Sequence, residues 1–244
     1  MITNQVSMSR GLRIIWNGLL DILFPKTCLG CGREGTYICK DCEIFLSEAD
    51  PMLGSPISPK ILGEVGLPDI VSVWEYEGLM EKLILKIKYD GCYDIINDLV
   101  AKAFEKITLG LPQDTMITFV PMWGRKERRR GFNQAELIAR AVGEKTGRPV
   151  AKLLEKIKDN RSQVGLSPQE RAENVRGAFR VTPDDRISDI LGMSDIPNIR
   201  NVLVVDDVYT TGATMGECIK VLKKAGAKNV WGFTLSRKMS IQNC

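Results

Sequence analysis

Apolar and polar residues alternate along this chain in two periods, and the changes of period lay out its elements. Ile70 to Tyr76, Met116 to Pro121, Ala178 to Val181, Val202 to Val205 and Val230 to Leu235 are apolar runs rich in β-branched or aromatic residues, and they predict strands. Leu79 to Lys88, Ile95 to Ile107 and Asn133 to Gly147 repeat apolar residues at helical spacing, the last with Leu137, Ile138, Ala141 and Val142 on its inner face. A further helix begins at Met215, sets Cys218, Ile219 and Leu222 on one side, and stops at Gly226. Strands that take turns with helices predict an α/β fold with a mainly parallel sheet. The Val202-Leu-Val-Val205 run is apolar on both faces, as a strand covered on both sides must be.

Upstream, Leu12, Ile15, Trp16, Leu19, Leu20 and Leu23 share one face of a predicted amphipathic helix over Leu12 to Phe24. It carries Arg13 and Asp21 and is too short to span a bilayer, so it either packs on the body of the protein or docks to a partner. Pro51, Pro56, Pro59 and Pro68, set among small and polar residues, mark a connector. The chain thus divides into a helix and cysteine module (1–46), a connector (47–67) and a main domain (68–244).

Composition changes this picture in three places. With 44% apolar and 26% charged residues, the 244-residue chain has the make-up of a soluble globular protein, and its net charge of +4 is too small to predict nucleic-acid binding alone. Histidine is absent. That excludes Ser-His-Asp and Cys-His catalysis and every His-ligated metal, leaving acid–base work to carboxylates, Lys, Tyr or Cys. No export signal or membrane span is visible and the seven cysteines are odd in number, which predicts a reducing cytoplasm.

Asp206-Asp207-Val-Tyr209-Thr210-Thr211-Gly212-Ala213-Thr214 follows the apolar strand and opens the next helix. A polar loop between a strand and a helix N-terminus offers backbone N–H groups and a positive dipole to a phosphate. The threonine hydroxyls add donors, and Gly212 lets the backbone approach. Asp206 and Asp207 would repel that phosphate and suit sugar hydroxyls or a metal ion instead. Phosphate beside vicinal hydroxyls describes a ribose 5-phosphate. A Walker B strand also ends in acid, but its Gly-x-x-x-x-Gly-Lys-Ser/Thr partner is missing from the chain.

Cys28-x-x-Cys31 and Cys39-x-x-Cys42, seven residues apart, can place four thiolates on one structural Zn²⁺, with Gly30 and Gly32 suited to tight turns and a short helix expected over Glu43 to Leu46. Two disulfides or a redox pair are the other readings of the same spacing. Cys92, Cys218 and Cys244 read as small apolar residues or an incidental tail thiol. A second anion site is expected after the strand ending at Pro121, where five of the six residues from Arg125 to Arg130 are basic and Gly131 follows.

The Asp206–Thr214 segment resembles the phosphoribosyl-diphosphate (PRPP) motif of type I phosphoribosyltransferases. Val120-Pro121, Arg128, Arg130-Gly-Phe-Asn-Gln134, Lys88-Tyr-Asp-Gly91, Gln163-Val-Gly-Leu166, Glu170-Arg171 with Asn174-Val175, Gly177-Ala-Phe179 and the four cysteines are similar to the ComF family, associated with competence and DNA uptake. That resemblance implies the type I phosphoribosyltransferase fold with an N-terminal zinc module. It implies that Tyr209 to Thr214 hold the 5-phosphate, Arg128, Arg130 and Gly131 the diphosphate, and Asp206 and Asp207 the ribose hydroxyls, directly or through Mg²⁺. Residues 158–176, with Gln163, Arg171 and Asn174, would form a hood. Where relatives commonly carry Thr before the hood glutamine, this chain has Asn160.

Two functions follow from the resemblance. One is Mg²⁺-dependent phosphoribosyl transfer to an acceptor that no residue here identifies. The other is a non-catalytic competence factor that binds single-stranded DNA, works with the DNA-uptake machinery and keeps the PRPP pocket for regulation.

Overall fold

The computed structural model describes residues 25–49, 70–159, 168–182 and 199–238. The helix expected over Leu12 to Phe24, most of the connector, Asn160 and Gln163 lie outside them. The chain divides into two compact units, Met1–Leu46 and Ser47–Cys244.

In the first unit, antiparallel pairing of Thr27 with Glu34 closes a turn that carries Cys28 and Cys31. The only regular element described there is α1 (Lys40–Glu43). The short helix expected from Glu43 onward therefore forms one turn earlier. It includes Cys42, and Ile44 and Phe45 follow it with exposed side chains.

The second unit is built on a four-stranded sheet of order β1 (Ile70–Glu75), β6 (Asn229–Arg237), β5 (Asn201–Tyr209) and β2 (Thr115–Phe119), all parallel. Residues outside the named strands close both of its edges. Glu48 bridges Trp74 on β1, and Val150 bridges Ile117 on β2. Covering edge N–H and C=O groups in this way removes a template for aggregation.

Helices α2 (Gly78–Asp90) and α3 (Ile95–Lys106) link β1 to β2, and α7 (Ala213–Lys224) links β5 to β6. Consecutive strand residues face opposite sides, and β6 shows which helix covers which side. The ring of Phe233 meets Phe104 of α3 at 6.4 Å. A Cβ on Gly232 would lie 3.1 Å from Met215 Sδ of α7. Helix α3 therefore covers one face and α7 the other, so β5 is buried on both sides as its sequence predicts. The core includes Trp74, Met80, Leu83, Ile87, Leu99 and Ile138, all fully buried.

Four differences from the sequence reading stand out. Strand β5 runs past Val205 to Tyr209, because β6 keeps pairing with it through Asp206–Thr234, Val208–Ser236 and Tyr209–Arg237. The basic segment is not a loop but a helix, α4 (Gly124–Arg130), which Gly131 ends at a φ of 86°. Phe179 to Val181 form β4, which pairs antiparallel with β3 (Leu154–Lys156) in a separate two-stranded sheet. On α5 (Gln134–Thr146) the buried face includes Ala135 and Ala139, while Leu137 is only half-buried.

Gly143 sits on the inner face of α5, where a Cβ would come within 2.5 Å of Val150 Cγ2 and 3.0 Å of the Arg148 carbonyl. Alanine is ordinarily the better helix former. Here the branched Val150, fixed against the edge of β2, has to move. Gly143→Ala is expected to destabilise by about 1–3 kcal/mol in urea unfolding; a gain in stability would mean this edge yields freely.

Candidate functional site

The site forms where β5 outruns its neighbour. β2 stops pairing at Phe119 opposite Val205, while β5 continues against β6. Asp206 and Asp207 thus extend beyond the edge of one strand and still lie in the ladder of another. Their side chains leave the strand on opposite faces. Asp207 shares the face of Val205 and Phe233, toward α2, α3 and α5. Asp206 shares the face of Val204 and Gly232, toward α7.

Asp207 is buried and its charge is compensated. Its Oδ2 lies 2.7 Å from Nζ of Lys88, in the last turn of α2, with the two side chains only 8% and 20% exposed. Its Oδ1 accepts the Val208 N–H at 2.8 Å. Burial works against ionisation of Asp207, but Lys88, the Val208 N–H and the Gln134 side chain outweigh it and hold the carboxyl below its usual range. Burial likewise pulls the Lys88 ammonium down, and Asp207 more than restores it. Asp206 has no such partner. Burial first, and then the adjacent Asp207 charge, push it up to about 8, although its Oδ1 accepts the Asp207 N–H at 2.9 Å.

The second basic segment reaches the same place. Asn133 is buried, caps α5 by accepting the Ala135 N–H at 3.0 Å, and donates to the Val120 carbonyl at 3.0 Å, which ties the end of β2 to the start of α5. The next residue, Gln134, accepts from Arg130 Nη1 at 2.6 Å, and its side chain helps to lower the Asp207 pKa. Arg130 also stacks over the Tyr89 ring, 5.6 Å from its centroid. Lys88, Tyr89, Lys126, Arg129, Arg130 and Phe132 line a cleft of about 160 Å³. Burial, together with Arg130 and Lys88, lowers the Lys126 pKa, and burial lowers that of Arg130. An anion in this cleft would relieve both.

On the other side, Thr210 to Gly212 turn into α7, with Gly212 at a φ of 75°. A Cβ there would fall 2.3 Å from the Tyr209 hydroxyl, so the ring lies against the loop. Ala213 opens the helix, and Thr210, Thr211 and Thr214 are all partly exposed. Helix α6 (Pro168–Val175), which holds the expected hood residues Arg171 and Asn174, precedes Gly177, whose N–H donates to Glu217 of α7 at 2.8 Å.

Of the residues expected at the diphosphate, Arg130 reaches the cleft, Gly131 ends α4, and Arg128 folds back toward Gly124 while Arg129 lines the cleft. Sequence reasoning missed Lys88 and Gln134 as partners of Asp207. Tyr89 and Tyr93 are 72% and 58% exposed.

In the first unit the Sγ atoms of Cys28, Cys31, Cys39 and Cys42 all lie within 4.8 Å of one another. Tetrahedral Zn²⁺ with bonds of about 2.3 Å needs sulfurs about 3.8 Å apart, and no disulfide joins these thiols. Burial raises the Cys28 pKa, but N–H groups of Cys39, Cys31 and Gly30 outweigh it and bring the thiol down to about 6. A Cβ on Gly30 would meet Cys42 Sγ at 2.7 Å, so glycine is required there. The donor set fits a structural zinc ion.

No family model matches the chain. Competence protein F of Haemophilus influenzae is 27% identical over 86% of this chain and 84% of that protein. DNA utilization protein YhgH of Salmonella typhi is 27% identical over 88% and 90%. Competence protein ComFC of Bacillus subtilis is 26% identical over 86% and 77%. Among solved structures, TT1426 of Thermus thermophilus aligns with 62% of this chain and 84% of that one at a TM-score of 0.28 and 13% identity, an overlay too loose to carry an argument. No helix among the described residues is long and apolar enough to cross a membrane.

Two predictions follow from this geometry. The raised pKa of Asp206 means the folded state keeps a proton that the unfolded chain releases near the ordinary value of 3.8. Its contribution is full below pH 3.8 and is lost as pH rises toward about 8. Asp206→Asn should therefore gain stability relative to the parent protein as pH rises from 4 to 8 in urea melts; a constant difference would show that the acid pair is unstrained. Chelating zinc should remove hydrogen-exchange protection from residues 28–42 while β5 keeps its own. Equal loss in β5 would make the two units one cooperative fold.

Proposed function

We propose that this chain, which belongs to the ComF family, binds phosphoribosyl diphosphate at the C-terminal edge of its parallel sheet and serves DNA uptake and use. The observation that carries the ligand is the cationic cleft of Lys88, Lys126, Arg129 and Arg130, opening beside an acid pair. A diphosphate matches the cations, with Arg130 released from Gln134 to fork onto its oxygens. The 5-phosphate would lie on the N–H groups of Thr211 to Thr214 at the start of α7. Ribose hydroxyls would lie between the two and donate to Asp207. The biological role rests on relatives named for competence and for DNA utilization.

In this reading the chain's residues bind and orient the ligand. Should an acceptor nitrogen reach C1, loss of diphosphate develops positive charge there, which ionised Asp207 stabilises while Arg129 and Arg130 take up the leaving group. Mg²⁺, expected with PRPP, does not fit the acids as they stand, because Asp207 Oδ2 is already closed by Lys88. No step is routed through it.

One observation favours direct binding of single-stranded DNA as well. Exposed Tyr89 and Tyr93 border the cleft, with Tyr93 edge-on to Phe132 at 5.9 Å. Aromatic rings beside a basic helix suit stacked bases and a tracked phosphate backbone.

Arg129→Ala/Arg130→Ala is expected to weaken PRPP in calorimetry by about tenfold or more, and to weaken an oligo-dT with a shallower salt dependence. Tyr93→Ala should cost the oligonucleotide about 1–3 kcal/mol and leave PRPP nearly unchanged, whereas Tyr89→Ala, which also frees Arg130, should weaken both. PRPP binding indifferent to the arginines would overturn the pocket. DNA binding indifferent to the tyrosines would remove the aromatic track.

A further inference from the structure

The carboxylate best placed to meet a ligand already faces a cation. Oδ1 of Asp207 accepts the Val208 N–H and Oδ2 lies 2.7 Å from Lys88 Nζ, which leaves lone pairs for a sugar hydroxyl but sets a positive charge where a metal ion would stand. Lys88 comes from α2, more than a hundred residues away in sequence, and both side chains are mostly buried. The second acid cannot complete a chelate with the first. Asp206 leaves the strand on the opposite face, and its Oδ1 is engaged by the Asp207 N–H. A hard dication wants about six oxygens with little positive charge nearby. This site offers one occupied carboxylate facing Lys88, with Lys126, Arg129 and Arg130 around the cleft beside it.

We propose that Lys88 is the resident cation of this site: its ammonium holds the position at Asp207 that a divalent ion would need, so the pocket takes its phosphorylated ligand without a metal. Lys88 is a positioning residue here. It keeps Asp207 ionised and aimed at the sugar, and its own charge adds to the cleft that receives the phosphates. The ammonium is a compact charge whose desolvation is met on folding, where Asp207 more than offsets it. The ligand half of this inference rests on the PRPP reading above; the metal half does not.

The test uses the full-length, zinc-loaded chain and Mn²⁺ alone, followed by electron paramagnetic resonance of the free ion and by thermal shift. The parent protein and Asp207→Asn should bind Mn²⁺ alike, within about twofold. Lys88→Met should gain affinity by roughly tenfold or more, with a Mn²⁺-dependent rise in melting temperature, because the Asp207 carboxylate is left without its cation. The gain should vanish in Lys88→Met/Asp207→Asn and be absent in Lys88→Arg. A parent protein that loses about tenfold in Mn²⁺ affinity on Asp207→Asn overturns the proposal, as does a Lys88→Met variant that gains none. If Lys88→Met does not fold, the comparison of parent with Asp207→Asn still decides. A second arm measures PRPP affinity in Mg²⁺-free buffer prepared without chelator and in Mg²⁺, where agreement within about twofold is expected. Binding that requires Mg²⁺ sinks the resident cation. Failure to bind PRPP in either buffer, with the Mn²⁺ results as expected, sinks the PRPP reading and leaves Lys88 in its role.

Discussion

Two carboxylates on adjacent residues, one buried and the other half-buried, are not readily ionised together without a cation to hold them. The second unit is arranged around that constraint. The ladder between β5 and β6 carries Asp206 and Asp207 past the end of β2. Helix α2 returns over the sheet to deliver Lys88, and α5 begins where Gln134 can reach. Two acids with one lysine leave one carboxylate charged and the other drawn toward its neutral form. The strand's alternation decides which is which. Asp207 faces the lysine, and Asp206 faces α7.

The motif from Arg130 to Gln134 is compact because each residue joins two elements. Gly131 ends α4 in a left-handed conformation, and Phe132 lines the cleft. Asn133 caps α5 and holds the carbonyl that follows β2, and Gln134 accepts from Arg130 while its side chain helps to lower the Asp207 pKa.

Much of the fold was legible because its strands and helices carry strong periodicity. β5 was readable in its apolar half from Val202 to Val205 and not beyond, since Asp206 to Tyr209 owe their strand geometry to pairing with β6 rather than to their own preferences. Helix α4 was invisible for the opposite reason: Gly124-Arg-Lys-Glu-Arg-Arg-Arg130 has no apolar stripe and no buried residue. The pairing of β4 with β3 needed Leu154 to Lys156, too short a run to signal a strand. The cysteine spacing was sufficient to anticipate four sulfurs close together, because each Cys-x-x-Cys turn is local.

The site itself divides in the same way. The turn from β5 into α7 and the acids before it could be read from contiguous residues, whereas the cation that faces Asp207 could not. Lys88 lies at the end of an ordinary amphipathic helix, and although the Lys88-Tyr-Asp-Gly91 motif marks the segment, it does not say that this lysine meets Asp207 while Lys86 pairs with Asp90 one turn on. The difference is made by topology. The chain crosses from β1 to β2 through α2 and α3, and the last turn of α2 comes to rest over the strand end where β5 outruns β2. A local motif can specify a phosphate cradle, but the counter-charge of a buried acid must come from whichever element the fold brings above it. Reading such a site from its acids alone therefore omits the lysine that pairs with one of them.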